Sequence, residues 1–178
     1  GILIRSGDAL ETAQKIDTIV LDKTGTITEG KPSLTDVITA NGFDEKEIIF
    51  LSGSVEKSSE HPLAEAIVNG AIDKEIKLSD TTEFNAIAGH GVEATVHNRK
   101  VLLGTKKMMI KFNSDLGSFH DESSHLADDG KTPMYVAIDG RVAGIIAVAD
   151  KIKSDSKEAI IQLKNLGFKV ISYDKNKD

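Results

Sequence analysis

The chain of 178 residues contains no cysteine and no tryptophan, and aromatic residues make up only 4% of it. Without cysteine there is no disulfide, no thiolate metal site and no cysteine nucleophile, which fits a reducing compartment. Because large aromatic side chains are scarce, we expect a core of isoleucine, leucine, valine and alanine. Apolar residues account for 39% of the chain and charged residues for 28%, as is typical of a folded globular protein.

Long apolar runs and long basic runs are also missing. No stretch approaches the roughly 18 apolar residues that a membrane-spanning helix needs, and no secretory signal is visible. The formal net charge is -6, without clustered lysine and arginine, which argues against a broad surface for nucleic acid or anionic membrane. The composition does not exclude a pocket that binds a single nucleotide. Since the first residue is Gly1 rather than methionine, we expect an excised piece of a longer protein.

A short apolar run at residues 18–21 ends at Asp22. Its β-branched residues predict a buried strand with a carboxylate at the C-terminal end, which is the end where open α/β sheets collect ligands and chemistry. A helix capped by Asp155 and Glu158 and a strand near Val170 are predicted at the other end of the chain. We expect the two strands to pair within one α/β domain.

The chain between these strands has a different pattern. Asp44 and Glu47 have the spacing of a capping box for a helix over residues 44–57, and a second helix is predicted to begin at His61-Pro62. The remaining elements are predicted strands at 31–40, within 81–104, at 134–138 and at 142–148, the last two joined by an Asp139-Gly140 turn, and short helices at 106–111 and 121–127. This pattern favours an α+β insert with antiparallel strands.

The decisive motif is DKTGTIT at residues 22–28. These seven consecutive residues match the phosphorylation motif of the P-type ATPases, and on them the chain resembles that family. A carboxylate can accept the γ-phosphoryl group of ATP as an acyl phosphate, and such a transfer depends mainly on positioning and charge neutralisation. The resemblance implies that Asp22 is the phosphorylated residue, that Lys23 helps to hold phosphate charge, and that Asp22 and the carbonyl of Thr24 ligate Mg²⁺.

Further motifs resemble the heavy-metal branch of the same family. Ser59-Glu60-His61-Pro62-Leu63 matches its SEHPL motif, which implies that Glu60 and His61 lie at the adenine site. Gly89 and Gly91 in the segment Gly89-His90-Gly91-Val92 resemble its glycine-rich nucleotide loop, where glycine permits close backbone approach. Gly104-Thr105 stands where many members carry a Gly-Asn pair whose asparagine helps to hold the nucleotide. The resemblance implies that Gly104 and Thr105 lie at the nucleotide site, where Thr105 offers a shorter hydrogen-bonding side chain than asparagine.

The resemblance implies the fold class and the domains. It predicts an α/β and α+β protein, in which a partial haloacid-dehalogenase-like (Rossmann-like) phosphorylation domain is interrupted by a nucleotide-binding domain with an antiparallel sheet flanked by helices. The first would comprise residues 1–32 and 144–178, and the second residues 33–143. Residues 129–132 and Asp139-Gly140 are interpreted as structural, whereas Asp150 is interpreted either as a hinge residue near the phosphoryl site or as a plain helix-entry carboxylate.

The implied cofactors are ATP and Mg²⁺, and the implied partners are the actuator and transmembrane domains of an integral membrane pump, with this segment on the cytoplasmic side. Cu⁺ is the first hypothesis for the transported ion, while Zn²⁺, Cd²⁺ and Co²⁺ stay open. The alternatives are a soluble haloacid-dehalogenase-like phosphatase, disfavoured because Thr24 replaces that group's second aspartate, or a regulatory nucleotide-binding module.

Two later motifs of the family are not found. Neither Thr-Gly-Asp nor Gly-Asp-Gly-x-Asn-Asp occurs, and Ser172 and Asp174 are only a loose echo of the first. We therefore expect an outer α/β piece with few strands and an exposed sheet edge. We also expect these 178 residues to bind nucleotide but not to turn over ATP efficiently by themselves.

Overall fold

The computed structural model describes residues 6–173, so Asp174 and the other terminal residues of the predictions above lie outside the described residues. Six helices and eight strands occur in this range, in the order α1 (Gly7–Ala13), β1 (Thr18–Asp22), β2 (Thr28–Thr39), α2 (Glu45–Glu56), α3 (Pro62–Asp73), β3 (Thr82–Ile87), β4 (Gly91–Val96), β5 (Arg99–Gly104), α4 (Lys106–Lys111), α5 (Phe119–Asp128), β6 (Thr132–Ile138), β7 (Arg141–Ile152), α6 (Ser156–Asn165) and β8 (Lys169–Tyr173).

The chain divides into two compact units. The outer unit comprises Gly1–Lys31 and Asp150–Asp178, and the inserted unit comprises Pro32–Ala149. The chain returns to the outer unit later than the sequence-based boundary at 143/144, because β7 continues without interruption to Ile152.

The outer unit pairs the first and last strands of the described chain. β1 and β8 are parallel, with Ile19 opposite Val170, as the sequence predicts. The prediction that β1 is buried is wrong, because Val20 is 61% exposed in a sheet that has only two strands within residues 6–173. Asp155 is the N-cap of α6, as predicted, but its side chain makes no cap hydrogen bond.

The inserted unit is built on a six-stranded sheet in the order β2-β7-β6-β5-β4-β3, in which the four successive pairs from β3 to β7 are antiparallel. Side chains alternate between the two faces of this sheet. Val101 and Leu103 of β5 pack with Ile48 and Ile67 from α2 and α3, whereas Leu102 packs on the opposite face with helix α4. The unit therefore has helices on both faces, and its core is mainly aliphatic.

The two predicted helix starts of the inserted unit differ in detail. Asp44 caps α2, since its Oδ2 accepts a hydrogen bond from the Lys46 N–H at 3.1 Å. The capping box is not completed, because the Glu47 carboxylate pairs with the Arg99 guanidinium instead. His61 caps α3 through Nδ1, which accepts from the Leu63 N–H at 3.2 Å.

One ion pair of the inserted unit joins the loop before β6 to strand β2. Lys131 Nζ donates to both carboxylate oxygens of Asp36, each at 2.8 Å. Burial alone would raise the pKa of Asp36, but the hydrogen bonds from Lys131 and Thr35 and the charge of Lys131 lower it overall. This contact supports a structural role for the segment 129–132.

We expect Lys131→Met to lower the free energy of unfolding by about 1 kcal/mol at neutral pH. A carboxyl group whose pKa is lowered on folding adds stability above its unfolded pKa, and this stability is lost as the pH falls through the folded pKa. The difference between wild type and variant should therefore shrink in acid. Urea unfolding at pH 7 and pH 3 measures this difference. Lys107→Met is the control, because Lys107 is exposed on α4 and forms no salt bridge within the described residues. A pH-independent difference would contradict the assignment.

Candidate functional site

Asp22 is the last residue of β1 and lies half-buried in extended conformation, with φ −63° and ψ 136°. The following loop, Lys23–Ile27, turns the chain sharply towards β2. Gly25 has φ +78°, a left-handed conformation that glycine adopts without steric cost. The sequence thus positions a carboxylate at the C-terminal end of a strand, directly before a loop in which residues 24–26 are exposed.

Thr28 is the centre of the hydrogen bonds that hold this loop. Its side chain is buried, with 1% exposure, and its Oγ1 accepts from the Gly25 N–H at 3.2 Å. The same hydroxyl lies 3.0 Å from the Lys23 carbonyl oxygen, which also accepts from the backbone N–H of Thr28. The last threonine of DKTGTIT therefore closes the loop on itself.

Two residues at the end of β7 and directly after it, Asp150 and Lys153, also bind this part of the chain. The Asp150 carboxylate accepts from the Thr28 hydroxyl and from the backbone N–H groups of Gly30 and Lys31, the last two at 3.2 and 3.1 Å. Lys153 Nζ donates to the Gly25 carbonyl at 2.8 Å. Of the two interpretations left open for Asp150, these contacts favour a hinge residue near the predicted phosphoryl site over a plain helix-entry carboxylate.

Glu60 and His61 are both exposed at the start of α3. Because His61 Nδ1 accepts the cap hydrogen bond from Leu63, a neutral His61 ring carries its proton on Nε2 and presents an N–H donor there. The His61 backbone N–H donates to the Ser59 hydroxyl at 3.3 Å. The SEHPL motif is thus a capped helix start with an imidazole donor directed away from the helix.

The predicted glycines have different local reasons to be glycine. Gly91 lies opposite Gly104 in the β4–β5 register, where a Cβ on Gly91 would be 2.2 Å from the Leu103 carbonyl oxygen and one on Gly104 would be 2.3 Å from the His90 carbonyl oxygen. Gly89 has φ +70°, and a Cβ added to it would meet no heavy atom within 4 Å. Close strand packing accounts for the first two glycines, and only Gly89 faces open space.

Thr105 caps helix α4 without a side-chain cap hydrogen bond. Its backbone N–H donates to the His90 carbonyl at 2.7 Å, so that the glycine-rich turn and the start of α4 are joined directly. The Thr105 side chain is exposed. The structure therefore brings Gly89, Gly91, Gly104 and Thr105 together at one end of β4 and β5.

Glu56, which the sequence reasoning missed, lies just before the SEHPL motif. It is the last residue of α2 and only 7% exposed, and its Oε2 has no hydrogen-bond partner among residues 6–173. Burial raises the pKa of Glu56, and a hydrogen bond from Ser59 opposes this rise. A glutamate on the same helical face as Ile49 is the signal that would have found it.

The part of the chain that the structure describes holds no group of three or more histidine, aspartate or glutamate side chains suited to a metal ion. Mg²⁺ commonly uses only one or two carboxylates together with phosphate and water. The Asp22 carboxylate and the carbonyl of the exposed residue Thr24 fit such a partial ligand set. In residues 6–173, no helix combines the length and apolarity needed to cross a membrane.

Comparison with known proteins agrees with this geometry. The model of the haloacid dehalogenase-like hydrolases matches residues 16–173, and the chain belongs to this family. Within it, the chain is similar to the copper-exporting P-type ATPase of Bacillus subtilis, with 44% identity over 171 residues, 96% of this chain and 21% of that protein. The chain thus spans about a fifth of the length of the curated relatives it matches.

Solved structures give the same result. A zinc-transporting PIB-type ATPase in its E2.Pi state has a TM-score of 0.82 and 34% identity, covering 96% of this chain and 27% of that chain. The catalytic domain of the CPx-ATPase CopB-B, studied upon nucleotide binding, has a TM-score of 0.68 and 25% identity, covering 99% of this chain and 61% of that chain. The predicted resemblance and fold class are confirmed.

Proposed function

We propose that this chain supplies the ATP-binding and phosphoryl-accepting parts of a heavy-metal-translocating P-type ATPase. The observation that carries the proposal is Asp22 at the C-terminal end of β1, followed by the DKTGTIT loop that Thr28 and Asp150 hold in place. The outer unit accepts the phosphoryl group. The inserted unit, close to the predicted domain of residues 33–143, binds the nucleotide.

In the proposed reaction, a carboxylate oxygen of Asp22 forms a bond to the γ-phosphorus of ATP as the bond to the β,γ-bridging oxygen breaks and ADP leaves. Bound Mg²⁺ supplies charge neutralisation, and Asp22 and the Thr24 carbonyl are the residues that would hold it. The Lys23 ammonium adds positive charge beside the acceptor. Since Thr24 cannot act as a general acid or base, the acyl phosphate should persist, as a pump intermediate must; this disfavours the phosphatase alternative.

The nucleotide site is assigned to Glu60, His61, Gly89, Gly91, Gly104 and Thr105. The His61 Nε2–H can donate to a base, and the open space at Gly89 allows a ligand to approach the backbone. The unpartnered Glu56 Oε2 supports the assignment of a ligand site here. A buried acceptor without a donor lowers the stability of the protein, and a bound ligand with a donor group would relieve this cost. The exocyclic amine of adenine is such a donor, whereas guanine carries a carbonyl at that position. We therefore expect ATP and ADP to bind better than GTP.

Isothermal titration of the 178-residue chain with ATP tests the nucleotide site. We expect Glu56→Gln to weaken ATP binding about tenfold, since a hydrogen bond to a charged group contributes about 1.5–3 kcal/mol. Glu122→Gln on the exposed face of α5 is the control and should bind as wild type does. The absence of adenine nucleotide binding at millimolar concentrations would contradict the assignment of the nucleotide site to the inserted unit. An unchanged ATP affinity in Glu56→Gln would show that Glu56 does not contact the nucleotide.

The transported ion is proposed to be Cu⁺, because relatives with 44% identity are named as a copper-exporting and a copper-transporting ATPase. The zinc-transporting neighbour keeps Zn²⁺ as the second candidate. The actuator and membrane domains of the pump are proposed partners, which would place this chain on the cytoplasmic side of a cell membrane. Metal-stimulated ATP hydrolysis by the complete pump, compared between Cu⁺ and Zn²⁺, decides between the two ions.

A further inference from the structure

The Asp150 carboxylate accepts several hydrogen bonds from the first residues of β2, directly after the loop Lys23–Ile27. One hydroxyl and two backbone N–H groups donate to its carboxylate, from Thr28, Gly30 and Lys31. An ionised carboxylate suits this arrangement because it only accepts, through two oxygens with about four lone-pair sites. An asparagine at this position would turn an NH₂ group towards at least one of the donors. The arrangement therefore depends on the charge and shape of aspartate.

The Thr28 hydroxyl connects Asp150 to the loop Lys23–Ile27. A hydroxyl has a single hydrogen to donate. The hydrogen bond to the Asp150 carboxylate is stronger than one to the Lys23 carbonyl, because charge-assisted hydrogen bonds are stronger than neutral ones. With that hydrogen directed to Asp150, a lone pair of Oγ1 faces the Gly25 N–H, 3.2 Å away. The orientation of the Thr28 hydroxyl thus depends on Asp150.

The Gly25 N–H belongs to the same peptide group as the Thr24 carbonyl. A trans peptide is planar, and its N–H and C=O bonds point in opposite directions. When Thr28 holds the N–H, the Thr24 carbonyl is directed away from Thr28. Lys153 Nζ holds the next carbonyl, that of Gly25, at 2.8 Å, which limits rotation on the other side.

We propose that Asp150 is a positioning residue that, through the Thr28 hydroxyl, orients the Thr24 carbonyl towards the phosphoryl site. It does not touch the reacting atoms. This inference rests on the proposed function, in which the Thr24 carbonyl is one of the Mg²⁺ ligands. Its consequence is that Asp150→Asn weakens the response to Mg²⁺ while the nucleotide site in the inserted unit is left unchanged.

The test measures phosphoenzyme formation from γ-labelled ATP in the complete pump, as a function of Mg²⁺ and of ATP. We expect Asp150→Asn and Thr28→Val to lower the maximal rate about tenfold or more, since small displacements of a reacting geometry cost on that order. The Mg²⁺ concentration for half-maximal rate should rise several-fold, whereas the KM for ATP stays within about twofold. Thr28→Ser keeps the hydroxyl and should restore most of the rate.

Asp155→Asn is the matched control, because Asp155 makes no side-chain cap hydrogen bond; it should behave as wild type. A second readout needs no activity: amide exchange of Gly25 in the 178-residue chain should quicken in Asp150→Asn and Thr28→Val but not in Thr28→Ser. An unphosphorylated wild type would refute the proposed function. A phosphorylated wild type with an unchanged Mg²⁺ response in Asp150→Asn, or with unchanged Gly25 exchange, would overturn the positioning role alone.

Discussion

Replacing Asp22 with asparagine is expected to remove phosphoenzyme formation from the complete pump, to below about a thousandth of the wild-type level. An amide oxygen is a far weaker nucleophile than a carboxylate, and the acyl phosphate cannot form on it. The half-buried Asp22 is the only carboxylate of DKTGTIT. Acid-stable label from γ-labelled ATP that is released by hydroxylamine is the measurement, since hydroxylamine cleaves acyl phosphates.

The proposed nucleotide site provides the control for this experiment. Glu60, His61 and the glycine turn belong to the inserted unit, whereas Asp22 belongs to the outer unit. Asp22→Asn should therefore bind ATP with the wild-type affinity in isothermal titration, which shows that the protein is folded. Label that persists on Asp22→Asn and remains sensitive to hydroxylamine would identify a different acceptor and contradict the role given to Asp22.

The sequence predicts the features that depend on neighbouring residues. The strand ending at Asp22, the cap at Asp44 and the Asp139-Gly140 turn all occur as predicted, because each depends on side chains within a few positions of one another. The turn has φ +50° and +83° at its two residues, which suits an Asp-Gly pair. The order of the DKTGTIT and SEHPL motifs was enough to indicate the family.

Features that depend on distant residues were missed or wrong. Glu47 was predicted to close a capping box, but Arg99 on β5 competes for its carboxylate. The contact between Thr28 and Asp150 joins residues 122 positions apart, and no local pattern marks either partner. The burial of β1 was overestimated because an apolar run gives the strand but not the number of neighbouring strands. The burial of Glu56 is not predicted by the sequence, because a glutamate at a helix end is ordinarily exposed to solvent.

The glycines show how one sequence signal covers two physical causes. Gly89 and Gly91 are interpreted from the sequence as places where the backbone approaches a ligand, and Gly104 as the glycine of a pair similar to the family's Gly-Asn. The geometry divides them, since a Cβ at Gly91 or Gly104 meets the backbone of the neighbouring strand, while one at Gly89 meets nothing within 4 Å. Moving β4 away from β5 to make room would break the Thr105–His90 hydrogen bond and disturb Met108, which is fully buried beneath both glycines.

Gly91→Ala is therefore expected to lower the free energy of unfolding by about 3 kcal/mol or more, and ATP binding should fall with the folded fraction. Gly91 also has φ +145°, which adds strain for any residue with a Cβ. Gly89→Ala meets only the strain of its positive φ, about 1 kcal/mol, so it should stay folded, and any loss of ATP affinity in it reports contact with the ligand. Thermal unfolding and ATP titration of the two variants separate these cases. A Gly91→Ala variant as stable as wild type but selectively poor in ATP binding would show that the ligand, and not strand packing, requires glycine at this position.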